Sequence, residues 1–517
     1  MSQEIEIRLS ARPDDLARLA RGAFVKRFAQ GRPATRQLNT IYYDTPEMAL
    51  AKTGISLRVR KQGRAFIQTV KGSNSGALVS ARGEWESPLP SAIPDLRFIP
   101  DPEMRERVMM LTAGAPVEAK IETDIRRTTR QLKTEAGDEV ELAFDRGEIR
   151  PLLNGHGNVQ VSEVELELKR GSPAALYEIA RGMAEETGFT VRTESKAERG
   201  IRALEGRALT AKKSGRATLP VGATAEDAFR ATLMLCLRHL AQNAPVVSEA
   251  RDVEGVHQLR VGLRRLRAAL SAFGEAFGTP PLADLRMRAK ALADEFGETR
   301  ELDVFAAELL APVEAAAGTR AGLSTVRLEL EGLRRDAWND AVALTSSEGF
   351  TGFLLDLAAC AETRAWREDA LPEQLAEFAR PAVELACEAL TERDRKARKR
   401  ARHLSRLDVG ERHCLRIALK KLRYSAEFFA PLFPGKDLAQ YLKRLSKVQD
   451  DFGALNDAST VDHVLTRVSE HAGADAGADL REGIAFVEGW HESRIEPIWD
   501  TARKRWKRFS ASAPFWK

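Results

Sequence analysis

A chain of 517 residues is longer than one hydrophobic core organises, so at least two domains are predicted. Hydrophobic residues at 43% and aromatics at 6% exclude a disordered chain, and neither a basic-then-apolar leader nor an apolar run long enough to span a bilayer is found, which predicts a cytoplasmic protein. With 80 Lys and Arg against 75 Asp and Glu the formal net charge is only +5, so a polyanion site has to come from sorting the charges along the chain.

The first predicted element already sorts them. In Glu4-Ile5-Glu6-Ile7-Arg8-Leu9 a strand turns Glu4, Glu6 and Arg8 to one side and Ile5, Ile7 and Leu9 to the other. A helical stretch around Asp14 to Phe28 follows. Ser56 to Arg60 then sets Arg58 and Arg60 in phase, and the run Phe66 to Lys71 ends in Lys71. Further on, Thr123, Ile125 and Arg127 share one strand face, and Glu141 is in phase with Asp145. Val161 to Lys169 repeats the opening pattern, with Glu163, Glu165, Glu167 and Lys169 opposite Val164, Leu166 and Leu168. Gly54, Gly63, Gly72, Gly83, Gly147 and the Asn154-Gly155-His156-Gly157 turn punctuate these runs. A second helix around Pro173 to Thr187 stops at Gly188, and the short Val191 to Ser195 run leads to Lys196. Residues 1 to 205 therefore read as an antiparallel sheet with helices.

Glu4, Glu6, Glu163, Glu165, Glu167 and Asp145 are hard oxygen ligands suited to Mg²⁺ or Mn²⁺, and Arg8, Arg58, Arg60, Lys71, Arg127 and Lys196 are cations able to hold phosphate groups. Any one of these strands taken alone reads better as a polar face turned to water. If the sheet closes, the charged faces line an interior where unpaired charges are costly, and such an interior implies a ligand.

Residues 206 to 222, with Lys212-Lys213-Ser214-Gly215 and Pro220, lack apolar periodicity and read as a linker. From 223 to 510 the period is helical, starting at the capping pattern Thr224-Ala225-Glu226-Asp227. This half contains a repeat. His257-Gln258-Leu259-Arg260-Val261-Gly262-Leu263-Arg264-Arg265-Leu266-Arg267 matches His413-Cys414-Leu415-Arg416-Ile417-Ala418-Leu419-Lys420-Lys421-Leu422-Arg423 at an offset of 156, and Phe296-Gly297 matches Phe452-Gly453 at the same offset. His257, Arg260, Arg264 and Arg267 form one helix face, repeated by His413, Arg416, Lys420 and Arg423. Rows of like charge repel, and an anion relieves the repulsion; a solvated face is the alternative. The run Arg393 to His403 adds further positive charge. Nucleic acid is disfavoured as the partner, since no aromatics interleave the basic rows; a phosphate chain without bases fits better. Cys236, Cys360, Cys387 and Cys414 lie apart in apolar helical patterns and read as reduced core thiols.

Glu4-Ile5-Glu6-Ile7-Arg8 resembles the Glu-x-Glu-x-Lys signature of the CYTH, or triphosphate tunnel metalloenzyme, family. Tyr42-Tyr43-Asp44-Thr45-Pro46, Leu57-Arg58-Val59-Arg60, Val70-Lys71-Gly72, Glu163 to Lys169 and Ser195-Lys196 follow in that family's order. The helical half is similar to the CHAD domain, so the whole resembles the two-domain inorganic triphosphatases. The resemblance implies an α+β chain: an eight-stranded antiparallel β-barrel tunnel with flanking helices, then an all-α bundle with an internal two-fold repeat. It implies hydrolysis of inorganic triphosphate with Mg²⁺ or Mn²⁺ held by Glu4, Glu6 and glutamates of the 163–167 strand, with Glu165 or Glu167 orienting water. Arg58, Arg60, Lys71, Arg127 and Lys196 map to the basic tunnel residues. For the helical half it implies binding of polyphosphate through His257, Arg260, Arg264, Arg265 and Arg267 with His413, Arg416, Lys420, Lys421 and Arg423, and an association with polyphosphate granules. One departure is Arg8 in place of the signature lysine: the charge remains, but a planar fork replaces a compact ammonium. Triphosphate hydrolysis leads, against a tunnel that only binds polyphosphate and against an adenylate cyclase.

Overall fold

The computed structural model describes residues 2–73, 77–152, 157–273, 277–318, 321–473 and 477–517. It divides into two compact units, one of residues 1–211 with 241–250 and 344–363, the other of residues 212–240 with 251–343 and 364–517.

The first unit carries the strands β1 (Ser2–Ser10), β2 (Ala29–Asp44), β3 (Ser56–Gln62), β4 (Ala65–Lys71), β5 (Ser80–Leu89), β6 (Glu118–Lys133), β7 (Glu139–Pro151), β8 (Val159–Arg170) and the short β9 (Thr190–Val191). They run antiparallel in the order β5-β4-β3-β2-β6-β7-β8-β1, and β1 pairs again with β5, which closes eight strands into a barrel. Residues 2–6 of β1 lie along β5, with Glu4 opposite Arg82, and residues 6–10 lie along β8, with Arg8 opposite Glu165.

The barrel is inside out relative to a soluble sheet. Its apolar faces point outward: Ile7, Leu9, Val164 and Leu166 are fully buried, and α1 (Pro13–Leu19) and α4 (Ala174–Glu186) pack over β8. In α4 the stripe Leu176, Ile179, Ala180 and Met183 is buried, as the 3.6 period demands. The charged faces are thereby left for the interior. The helix predicted over 14–28 is two pieces, α1 and α2 (Ala23–Phe28), because the chain turns at Gly22, where a Cβ would collide with the Glu186 carboxylate; that carboxylate instead accepts the Phe24 N–H at 2.7 Å. Helix α3 (Pro102–Thr112) starts on Asp101, which accepts the Met104 N–H. Helix α5 (Lys196–Leu204) packs on β6, β7 and β8; a side chain at Gly200 would collide with Ile121 and Ile149, so glycine there lets the helix lie close. The turn expected at Asn154-Gly155-His156 lies outside the described residues.

Residues 207–220 carry no helix or strand. The helices that follow are α6 (Ala225–Ser248), α7 (Val253–Ala272), α8 (Pro280–Val304), α9 (Ala311–Ala317), α10 (Ala321–Thr345), α11 (Glu348–Thr363), α12 (Pro372–Ala379), α13 (Ala382–Arg400), α14 (Val409–Phe428), α15 (Lys436–Ala472), α16 (Ala478–Glu492) and α17 (Ile495–Ser510). Of these, α11 belongs to the first unit and packs on α4. The capping pattern at Thr224 forms as expected: the Asp227 N–H donates to Thr224 Oγ1 at 3.2 Å and the Thr224 N–H donates to Asp227 Oδ2 at 3.1 Å.

Helix α7 packs on α8, α14 on α15, and α7 meets α14. The leucine stripes Leu259, Leu263, Leu266 and Leu415, Leu419, Leu422 are buried, as are Phe296 and Phe452. Cys236 and Cys360 are buried thiols, but Cys387 is half-buried and Cys414 is exposed. Cys414 falls one residue short of the Leu415 stripe and so rotates outward. Among the described residues no helix is long and apolar enough to cross a membrane.

Candidate functional site

The barrel encloses a cavity of about 390 Å³. Its wall carries Glu4, Glu6, Glu84, Glu86, Glu141, Asp145, Glu165 and Glu167, and against them Arg8, Arg58, Arg60, Lys71, Arg82, Arg127, Lys169 and Lys196. Eight acids thus face eight bases among the described residues. Strand alternation explains much of the gathering: Glu6, Arg8, Arg58, Glu141, Glu165 and Glu167 each sit between two apolar residues whose side chains point to the other face. Glu163 sits just behind the wall, fully buried.

At one side of the cavity Lys71 Nζ lies 2.5 and 2.6 Å from the two oxygens of Glu4. Arg82 reaches Glu4 Oε2 at 3.1 Å and Glu6 Oε1 at 2.8 Å. Arg8 forks onto Glu6 Oε1 through Nε at 3.1 Å and Nη2 at 2.7 Å, and its Nη1 donates to the Thr193 carbonyl at 3.3 Å. Burial works against the charged form of Glu6, but Arg8, Lys71 and Arg82 together hold its carboxyl at about 2.

At another side Lys196, the first residue of α5, is fixed by the Ser195–Glu198 capping box. Its ammonium lies 2.7 Å from Asp145 and 2.8 Å from Glu165 and contacts Glu163. Arg127 grips Asp145 with two bonds of 2.7 and 2.6 Å and touches Glu165, while Arg199 closes on Glu163. Burial opposes ionisation of Glu165 and Glu163, yet these cations keep both carboxyls below their ordinary range. Oxygens of Asp145, Glu163 and Glu165 lie within 4.8 Å of one another, a spacing that suits a metal ion, and in this structure Lys196 is the cation among them.

The third group is cationic. Arg58 Nη2 donates to Glu84 at 3.2 Å and Arg60 Nε to Thr40 Oγ1 at 2.9 Å. Proximity to Arg58, with burial, pushes Arg60 down to about 10. Burial favours the neutral phenol of Tyr42, but Arg58, Arg60, Lys196 and Lys71 around it draw its pKa below the usual tyrosine value. A surplus of positive charge is therefore waiting for an anion here.

Glu167 differs from its neighbours. Burial lifts its carboxyl pKa, and the carboxylates of Glu4 and Glu141 add to the rise against the pull of Lys169, 2.6 Å away. Glu167 thus lies in the field of the Glu4 and Glu141 carboxylates, oxygen donors of the kind a hard divalent ion takes, whereas the acids whose oxygens converge within 4.8 Å among the described residues are Asp145, Glu163 and Glu165.

In the helical unit the ten predicted polyphosphate residues fall into three environments. His257, Arg260, Arg264, Arg416 and Lys420 act on one another: burial and then Arg300 push the His257 imidazole down to about 4, and burial followed by Arg416, Arg264 and Arg260 pushes Lys420 down to about 7. Nε of Arg260, Arg264 and Arg416 is buried without a hydrogen-bond partner, although Arg260 Nη1 donates to the Ala293 carbonyl at 2.8 Å. His413 is exposed, its Nδ1 2.9 Å from Asn456 Oδ1.

Arg265 and Arg423, by contrast, share Glu427: Arg423 Nε donates to it at 2.8 Å, and buried Arg265 contacts it while lying over the rings of Tyr424 and Phe428 at 5.7 and 5.2 Å. Arg267 and Lys421 form a third group with Arg393, Arg286 and Lys396; these cations, after burial, lower the Lys421 pKa. In this group the Ser271 carbonyl accepts Arg393 at 2.8 Å. Adjacent residues on a helix are about 100° apart, which is how Arg264 and Arg265 reach opposite roles.

Reasoning from the sequence missed Arg82, Glu84 and Glu86 on β5, Tyr42 and Arg199. The first three were visible as the alternation Arg82-Gly83-Glu84-Trp85-Glu86; Arg199 carries no local signal, being one turn into α5.

Two domain families match the chain, CYTH over residues 2–201 and CHAD over residues 231–466. An "Inorganic triphosphatase" of Haemophilus influenzae is 27% identical over 208 residues, 39% of this chain and 54% of that protein, so the chain spans about half of that relative's length. The crystal structure of the CHAD domain from the plant Ricinus communis is 27% identical, with a TM-score of 0.50, over 57% of this chain and 96% of that one. A Hippeastrum protein described as a putative adenylyl cyclase with a dominant triphosphatase activity is 17% identical, with a TM-score of 0.26, over 40% of this chain and 97% of that one.

Proposed function

We propose that this chain, a CYTH domain followed by a CHAD domain, hydrolyses inorganic triphosphate inside its barrel and holds inorganic polyphosphate on its helical unit. The observation that carries the first part is the cavity wall, where a closed barrel sets eight acids against eight bases in a space of about 390 Å³. An interior so charged is costly without a ligand that carries both signs. The curated relative described as an inorganic triphosphatase supports this reading.

Glu4 and Glu6 would hold Mg²⁺ or Mn²⁺, with Glu141 and Glu167 beside them. The bound ion supplies neutralisation of phosphate oxygens. Arg58, Arg60, Lys71, Arg127 and Lys196 bind the remaining oxygens and fix the chain of phosphates in line. Glu165 is tied to Arg127 and Lys196 and has little affinity for a proton. Glu167, whose carboxyl pKa is raised, is the better acceptor of a proton from the attacking water. Asp145, Glu163 and Arg199 position Lys196.

One observation favours slow turnover. Arg8 spends both arms of its fork on Glu6 and a third nitrogen on Thr193, where a lysine would engage fewer partners. On that reading Arg8→Lys raises turnover. On the helical unit, Arg260, Arg264, Arg416 and Lys420 with His257 are the anion-binding group, and a chain of this kind would gather at polyphosphate granules. The experiment is phosphate release from triphosphate, ATP and long polyphosphate with Mg²⁺ and Mn²⁺, alongside filter binding of polyphosphate. Triphosphate should be the preferred substrate. Polyphosphate binding without release from any substrate would leave only the binding role, and cyclic product from ATP would replace the hydrolase reading.

A further inference from the structure

We propose that Arg82 is the counter-cation of the Glu4–Glu6 pair in the metal-free barrel and gives way to the divalent ion, so that metal and triphosphate bind cooperatively through this one side chain. The inference rests on the triphosphatase reading for its second ligand, but not for its first.

Arg82 lies on β5 directly opposite Glu4 of β1, at the seam that closes the barrel. Its Nε is 3.1 Å from Glu4 and its Nη2 2.8 Å from Glu6, and the side chain is only 12% exposed. Of the three cations around this pair it is the one that spans both acids. Lys71 holds Glu4 and is shared with Glu84 at 3.2 Å; Arg8 holds Glu6 and the Thr193 carbonyl.

A divalent ion taking an oxygen from each of Glu4 and Glu6 sits at about 2.0–2.1 Å from them. That is the space in front of the two carboxylates, which the guanidinium now covers, and two cations cannot share it in so dry a site without strong repulsion. Metal binding therefore requires Arg82 to swing away. Swinging into the cavity unpairs a buried guanidinium, which is strongly unfavourable unless an anion receives it. A phosphate group is the natural receiver, because the planar fork matches its oxygens. Triphosphate thus removes the obstacle to the metal, and the metal restores the compensation that Glu4 and Glu6 lose. By linkage each tightens the other by the same factor.

The test is a titration of the purified full chain with Mn²⁺, free Mn²⁺ being read by electron paramagnetic resonance, with and without the non-hydrolysable imidotriphosphate. For the natural chain the analogue should tighten Mn²⁺ binding by about tenfold or more, within the range of ordinary coupling. In Arg82→Gln, Mn²⁺ alone should bind about tenfold more tightly than in the natural chain, and the analogue should add less than about threefold. Arg82→Lys, whose ammonium reaches one acid at a time, should fall between the two and decides the matter if the glutamine variant loses its β-sheet circular dichroism. Mn²⁺ affinity in the variants equal to or weaker than in the natural chain, or full coupling without Arg82, overturns the proposal. Failure of the triphosphate reading looks different: the analogue then binds no protein of the set, and the comparison with Mn²⁺ alone still decides the role of Arg82.

Discussion

The Lys71 ammonium lies within 2.6 Å of both oxygens of Glu4, in a barrel interior where neither side chain is more than 9% exposed. A pair shielded this well stabilises little as a pair, but is expensive to break from one side, because the remaining charge stays buried.

Lys71→Met should therefore destabilise the metal-free chain by about 3 kcal/mol, visible as a lowered denaturation midpoint. Added Mg²⁺ should recover part of the loss, since an ion at Glu4 replaces the missing cation. A midpoint equal to that of the natural chain would show that the pair is solvated in solution.

Lys196 makes the converse case. Asp145, Glu163 and Glu165 crowd within 4.8 Å, and Lys196 contacts all three, with Arg127 and Arg199 completing the compensation. Lys196→Met should cost about 3–5 kcal/mol and convert the trio into a divalent-ion site. Mn²⁺ should then raise the melting temperature of the variant more than that of the natural chain. An equal rise in both would place the ion elsewhere.

The two strands that carry this chemistry were legible because Glu4 to Leu9 of β1 and Glu163 to Lys169 of β8 alternate charge with isoleucine, valine or leucine, and alternation is all that a strand needs to sort its faces. β5 follows the same rule, but Ala81 and Gly83 are too small to mark its outer face, so Arg82, Glu84 and Glu86 went unseen. The first half of β2 and the second half of β6 were hidden for a similar reason, with few apolar residues at regular spacing in Ala29–Leu38 or Arg126–Lys133. Which cation meets which acid was not legible at all: the partners of Glu4 come from β4 and β5, brought round only when β5 closes on β1. In the helical unit the basic motifs stood out, but their division did not, because Glu427 and Tyr424 lie outside the motif that includes Arg265.

That division predicts two kinds of arginine. Arg265→Ala should lower stability by about 2–4 kcal/mol, through the lost ring contacts and an unpaired Glu427, with polyphosphate affinity changed less than about threefold. Arg264→Ala or Arg416→Ala should weaken polyphosphate binding by at least about tenfold at little cost in stability. Thermal melts and fluorescence polarisation with labelled polyphosphate separate the outcomes; equal effects at 265 and 264 would merge the groups.

Lys420 supplies a pH dependence. Its folded pKa of about 7 is below the ordinary 10.5, so between those values the unfolded chain holds a proton that the folded chain has released, and folding gains stability as pH rises through the window. A polyanion acts in the opposite sense by favouring the charged ammonium. Polyphosphate binding at about pH 8 should take up protons, binding near pH 6 should not, and affinity should fall as pH rises. Calorimetry in two buffers of different ionisation enthalpy reads the uptake, and Lys420→Met should remove it.

If the β1 acids make the barrel an enzyme, phosphate release from triphosphate with Mg²⁺ or Mn²⁺ depends on them and is to be measured for the natural chain, Glu4→Ala and Glu6→Ala. The natural chain should release phosphate, and each variant should lose at least about a hundredfold. Full activity in both variants, or no release by the natural chain with either ion, would contradict that role.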